Sequence, residues 1–89
     1  MKKIRKHFIF TGEVQGVGFR WNAKQIALKY GVSGWAENVY DGSVEMEAEG
    51  TPEDIDCLIE ELNHARWAYI EHIDMKEIPV QGGYAFEIR

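Results

Sequence analysis

This chain has little of what would staple or anchor it. Among 89 residues there are one cysteine and two prolines. A lone Cys57 closes no internal disulfide, which excludes a small disulfide-built scaffold and fits a reducing compartment. No apolar run approaches the roughly 20 residues that span a bilayer. The start, Met1-Lys2-Lys3-Ile4-Arg5-Lys6, is basic like the head of a signal segment, but Phe8-Ile9-Phe10 is too short to follow it as the apolar region. No targeting segment is read here, and a cytoplasmic location is expected. Positive charge is also scarce. Ten Lys and Arg stand against 15 Asp and Glu, for a net charge of −5. That balance opposes nonspecific attraction to nucleic acid and anionic lipid, so neither partner is expected. Low-complexity linkers and repeats of solenoid period are missing too.

What is present suffices for one domain, expected over residues 1–89. Hydrophobic residues make up 45% of the chain, a globular composition. A domain this short buries only about 60–65% of its unfolded surface, so its patterning must be good.

The pattern alternates between strand and helix periods. Residues 6–13 read as a strand, with Phe8 and Phe10 on one face and His7, Ile9 and Thr11 on the other. Residues 14–20 form a glycine-bearing turn. Residues 21–30 take helical period through Ala23, Ile26, Ala27 and Tyr30, and Gly31 sits where a helix ends. Residues 33–40 and 43–49 read as a hairpin around a two-residue Asp41-Gly42 turn. Its second arm sets Val44, Met46 and Ala48 against Glu45, Glu47 and Glu49, which predicts a buried face and a solvated one. Thr51 caps a helix with Pro52 at its first position, and Ile55, Leu58, Ile59 and Leu62 form its core stripe. Residues 68–77 return to strand. The parity shift between Ala68/Ile70 and Ile73/Met75 predicts a bulge. Tyr84–Ile88 adds a short last strand. The expected fold is α+β: a ferredoxin-like βαββαβ sandwich with four antiparallel strands, a short C-terminal strand and two helices on one face.

This fold hosts many functions, so chemistry must come from a site. The informative segment is Gly12-Glu13-Val14-Gln15-Gly16-Val17-Gly18-Phe19-Arg20, which follows a strand and opens a helix. Its glycines permit a tight turn in which successive N–H groups form an anion-binding nest. Arg20 at the edge supplies a planar donor fork suited to phosphate oxygens. Spacing alone fits a plain glycine turn with a surface arginine equally well. It is neither Gly-x-Gly-x-x-Gly nor Walker A, so nucleotide binding is not indicated.

The segment resembles the signature of the acylphosphatase family. A second match follows in Gly34-Trp35-Ala36-Glu37-Asn38, Asp41-Gly42-Ser43-Val44-Glu45 and Gly50. The resemblance covers nearly the whole chain. It is weakest after residue 63, where the family's usual Gly-Pro gives way to His64-Ala65-Arg66-Trp67. Ala36 and Glu37 also stand where an aliphatic and a basic residue are common. The resemblance implies a cofactor-free, metal-independent monomer that hydrolyses acyl phosphates to a carboxylate and inorganic phosphate. Arg20 matches the family's phosphate-binding arginine, and Asn38 the asparagine that orients the attacking water. Backbone amides of Gln15, Gly16, Val17, Gly18, Phe19 and Arg20 would hold the phosphate.

Other residues carry plainer readings. His7, His64 and His72 lack paired ligand spacing. Cys57 is expected to be buried or half-buried beside the helix stripe. Trp21, Trp35 and Trp67 read as packing, although Trp21, next to Arg20, could wall the site. Two other classes share these features. An RNA-recognition module has the same element order but needs aromatics on the third strand, where this chain has glutamates. A noncatalytic acyl- or carbamoyl-phosphate binding module is the second, since domains resembling acylphosphatases occur within hydrogenase-maturation carbamoyltransferases. The end of the sequence at Arg89 favours a free-standing enzyme.

Overall fold

The alternation around Phe8 and Phe10 becomes β1 (Ile4–Glu13), with both rings fully buried. The computed structural model describes residues 2–89; Met1, the first residue of the domain expected over 1–89 and of the basic start, lies outside the described residues. After β1 come α1 (Phe19–Tyr30), β2 (Ser33–Asn38), β3 (Val44–Gly50), α2 (Pro52–Asn63), β4 (Tyr69–Ile78) and β5 (Phe86–Ile88). The strand order is β4-β1-β3-β2-β5. The first four pair antiparallel, and β5 lies parallel to β2. This is the ferredoxin-like α+β sandwich, with the short fifth strand extending it at one edge.

One core joins the inner sheet face to the helices. Phe8, Phe10, Val44, Met46 and Phe86 meet Phe19, Ala23 and Ala27 of α1 and Ile55, Leu58 and Leu62 of α2. Burying each large side chain stabilises the fold by about 1.5–3 kcal/mol. Phe10 and Phe19 lie 5.0 Å apart between ring centres, and Trp67 packs edge-on against Phe19 at 5.8 Å. The alanines on α1, together with Ala36 and Ala48 beneath, leave little bulk between helix and sheet.

The helix ends follow their local chemistry. Gly31 closes α1 in the left-handed region. Thr51 Oγ1 accepts from the Asp54 N–H at 3.2 Å at the start of α2, followed by Pro52 and the acids Glu53 and Asp54. The bulge also forms. Thr11 pairs with His72 but Gly12 with Ile70, so Glu71 is the extra residue of β4. Gly12 has φ 124°, and a Cβ there would lie 2.3 Å from the Tyr69 carbonyl oxygen. Only glycine fits that approach.

Four readings are corrected. The hairpin turn is not a two-residue one. Asn38 pairs with Val44, Val39 N–H bonds to the Ser43 carbonyl, and Gly42 N–H bonds to the Val39 carbonyl. The loop is therefore Tyr40-Asp41-Gly42, with Gly42 at positive φ. Register explains it. A two-residue turn would put Ala36 opposite Glu47 on one face, whereas Ala36 is buried against Met46. Asp41 Oδ1 accepts from both the N–H and the hydroxyl of Ser43, which braces the longer loop. Helix α1 begins at Phe19 rather than 21, so Arg20 stands in its first turn. Cys57 is exposed, because it lies off the Ile55–Leu58–Leu62 stripe.

The outer face of β3 is the fourth correction. Glu45 and Glu47 are half-buried and Glu49 is 4% exposed. Arg5 on β1 binds Glu47 at 2.8 Å and Glu49 at 3.1 Å. The N–H groups of Gln81 and Gly82, from the loop before β5, donate to Glu49 at 2.8 and 3.0 Å. The acidic stripe is thus paired across strands and roofed at one end. Trp35 lies on this outer face too, under the Arg89 guanidinium at 4.4 Å.

Candidate active site

Residues 15–18 connect β1 to α1 as a run of bends. Gly16 and Gly18 have φ 75° and 76°, left-handed values that glycine takes without penalty. Gly18 is the residue before α1, and no side chain caps the helix there. Its first turn carries no acid. The contrast with α2 is informative, since α2 has a threonine cap and two acids in its first turn. The leading N–H groups of α1 have no intrahelical acceptor, and the helix dipole adds partial positive charge at that end. Such an end is a ready anion site. Asn22 steadies the loop from inside the helix, its Nδ2 donating to the Gly18 carbonyl at 2.8 Å.

A cleft of about 290 Å³ opens at this point, lined by Val14, Gly16, Gly18, Phe19, Arg20, Trp21, Asn38 and Ile88. It brings together Arg20 from α1 and Asn38 from the end of β2, residues 18 positions apart in the chain, both of which the sequence singles out. Of the loop residues expected to offer amides, Gly16, Gly18, Phe19 and Arg20 line it, while Gln15 and Val17 do not. Val17 packs against the core. Gln15 turns its side chain towards the hairpin, where Nε2 donates to the Val39 carbonyl at 2.6 Å and the Ser43 carbonyl at 2.8 Å.

Arg20 is half-exposed, and its Nη1 donates to the main-chain oxygen of Arg89 at 2.6 Å. Arg89 is itself held, its N–H bonding to the Ala36 carbonyl at 2.8 Å and its side chain stacking on Trp35. Arg89, just after β5, therefore restrains the guanidinium while leaving most of its five donors free. Trp21, 58% exposed, and Ile88, 41% exposed, form an apolar lip. Among the described residues, no group of three His, Cys, Asp or Glu side chains is placed to hold a metal ion, and no helix is long and apolar enough to cross a membrane. The cleft offers donors, one fixed cation and one neutral amide.

Sequence reading does not identify the bonds of the Gln15 side chain to the hairpin, nor Ile88 and the main chain of Arg89 at the cleft, because each contact forms only through tertiary pairing.

The family model described as Acylphosphatase matches residues 6–88. A curated acylphosphatase of Bifidobacterium longum is 40% identical to this chain, covering 97% of it and 92% of the relative. A solved acylphosphatase from Coxiella burnetii superposes with a TM-score of 0.91 at 31% identity, covering 98% of this chain and 93% of the other. Full-length HypF, solved in a phosphate- and nucleotide-bound form, gives a TM-score of 0.91 at 30% identity, covering 99% of this chain but 12% of HypF. With the signature at 12–20, the cleft it builds and matches that run nearly end to end, the chain belongs to the acylphosphatase family.

Proposed function

We propose that this acylphosphatase works with two side chains and a nest of amides. Arg20 and the backbone N–H groups of residues 15–20 hold the phosphoryl group of an acyl phosphate, and Asn38 orients the water that attacks it. The observation that carries the reading is the cleft itself, in which an uncapped helix start, a tethered arginine and an isolated asparagine share one wall.

The chemistry needs little more. Water attacks phosphorus in line, the P–O bond to the acyl oxygen breaks, and its electron pair leaves on a carboxylate. That carboxylate has a conjugate acid with a pKa of about 4, so it departs without a proton and no general acid is required. The remaining demands are positioning and stabilisation of equatorial phosphoryl charge, which Arg20 and the amides supply. The Asn38 carbonyl accepts one hydrogen bond from water and aims its lone pair. Asn38 is too weak a base to keep the proton, so a phosphoryl oxygen takes it, and the products are the carboxylate and inorganic phosphate.

The proposal extends to a single domain over residues 1–89, acting as a cytoplasmic monomer without cofactor, metal, nucleic-acid or membrane partner. The net charge of −5 and the lone exposed Cys57 support it.

Benzoyl phosphate with phosphate detection tests the reaction, and Asn38→Ala tests the division of labour. Losing a preorganised polar group that acts in the transition state costs about 10²–10³ in kcat. Asn38→Ala should therefore lose kcat while KM and inhibition by inorganic phosphate stay nearly unchanged. A folded Asn38→Ala enzyme with kcat within a few-fold of wild type would confine Asn38 to the turn. The likeness to part of HypF motivates a second reading, a phosphate-binding module without turnover. In that case the wild-type chain would bind phosphate but release none from benzoyl phosphate.

A further inference from the structure

The Gln15 side chain ties the phosphate loop to the hairpin. Its amide nitrogen meets two oxygens, the Val39 carbonyl at 2.6 Å and the Ser43 carbonyl at 2.8 Å. Both are carbonyls, so both contacts require an N–H donor, and the amide orientation is unambiguous. These two residues close the loop of the hairpin, since the Val39 N–H bonds to the same Ser43 carbonyl at 2.9 Å. Val39 directly follows Asn38. One NH₂ group thus bridges the two arms of the hairpin one residue from Asn38, while the backbone of Gln15 enters the glycine turn on the other side.

From this geometry we infer that Gln15 is a positioning residue, whose side chain sets Asn38 at the right distance from the phosphate loop. The inference rests on the water-orienting role proposed for Asn38. Asn38 is exposed and stands at the last position of β2, where a strand end has freedom to shift. No hydrogen bond from its own side chain to the protein fixes it among the described residues. What limits the strand end is the Val39–Ser43 closure and the Gln15 amide laid across it. Attack on phosphorus needs the water held in line, and a misplacement of about 1 Å can cost roughly 10²-fold in rate. Phosphate binding, by contrast, draws on Arg20 and the backbone N–H groups of residues 15–20, which a change of the Gln15 side chain keeps, and that side chain bonds to the Val39 and Ser43 carbonyls instead.

The test is a kinetic cycle on the full chain with benzoyl phosphate, using Gln15→Met, Asn38→Ala and the double variant. Methionine keeps the length and removes the donors. Gln15→Met should lower kcat by roughly 10²-fold while the inhibition constant of inorganic phosphate moves less than about threefold. In the Asn38→Ala background the same change should lower kcat by less than about threefold, because a residue acting through Asn38 has nothing left to position. Gln15→Asn, which keeps an amide too short to span both carbonyls, should show the same non-additive loss and serves where Gln15→Met does not fold by circular dichroism. If Asn38→Ala collapses but the folded Gln15 variants keep wild-type kcat, or if the losses multiply in the double variant, the positioning role is overturned. If Asn38→Ala itself keeps wild-type kcat, the mechanism beneath is what fails.

Discussion

Arg20 Nη1 donates to the main-chain oxygen of Arg89 at 2.6 Å, so the cation of the cleft is fastened to the residue just after β5, 69 positions away in sequence. A restrained guanidinium loses less freedom on binding than a free one and keeps its fork aimed. A lysine at this position would keep the charge but present a point donor on a flexible stem. Arg20→Lys should accordingly be nearly inactive on benzoyl phosphate and should lose competitive inhibition by inorganic phosphate. A lysine variant that binds phosphate and turns over like wild type would leave Arg20 a surface residue.

Trp21 forms the apolar lip with Ile88. An indole exposed beside the proposed phosphate site would offer an apolar surface to the acyl group but none to the phosphate. Trp21→Ala should therefore raise KM for benzoyl phosphate several-fold, the scale of about 1 kcal/mol of lost aromatic contact, and leave acetyl phosphate nearly unaffected. Equal effects on both substrates would argue against contact with the acyl group.

Glu49 shapes the acid limb of stability. Burial alone would raise its carboxyl, but bonds donated by Gln81 N–H, Arg5 and Gly82 N–H outweigh burial and hold it below the ordinary value. The folded value thus lies under the unfolded one, which is about 4.3. Its stabilising contribution is complete above the unfolded value and is lost as pH falls through the folded one. Asp41, held low by the Ser43 hydroxyl and N–H, and Glu61, held low by Lys29 and Tyr30, act in the same direction. Urea midpoints measured between pH 6 and 3 should fall less steeply for Glu49→Gln than for wild type. Parallel curves would show that Glu49 carries no share of the acid sensitivity.

Gly12 is where β1 meets the bulged residue of β4. A Cβ would stand 2.3 Å from the Tyr69 carbonyl oxygen and 2.7 Å from the Glu71 nitrogen, at φ 124°. Gly12→Ala should destabilise by roughly 2–6 kcal/mol, since backbone strain and overlap each cost about 1–3. The melting temperature should drop by roughly 10 °C or more. A change under about 2 °C would mean that the bulge relaxes without cost.

Much of this protein is legible in its sequence because the deciding forces are local. Alternation along residues 6–13 and 43–49, the stripe from Ile55 to Leu62, the Thr51-Pro52 start and the parity shift at the bulge all act within a few residues. The glycine segment leading to Arg20 is likewise local, and its residues line one cleft with Asn38. Tertiary structure alone decided the rest. The hairpin loop took three residues instead of two because the inner face of Ala36 had to meet Met46. Glu49 sank from the expected wet face because Arg5 and the 81–82 amides converge on it from distant segments. The tie from Gln15 to Val39 spans 24 residues and that from Arg20 to Arg89 spans 69. Such contacts depend on strand order and register, and neither is written in the neighbourhood of the residues they join.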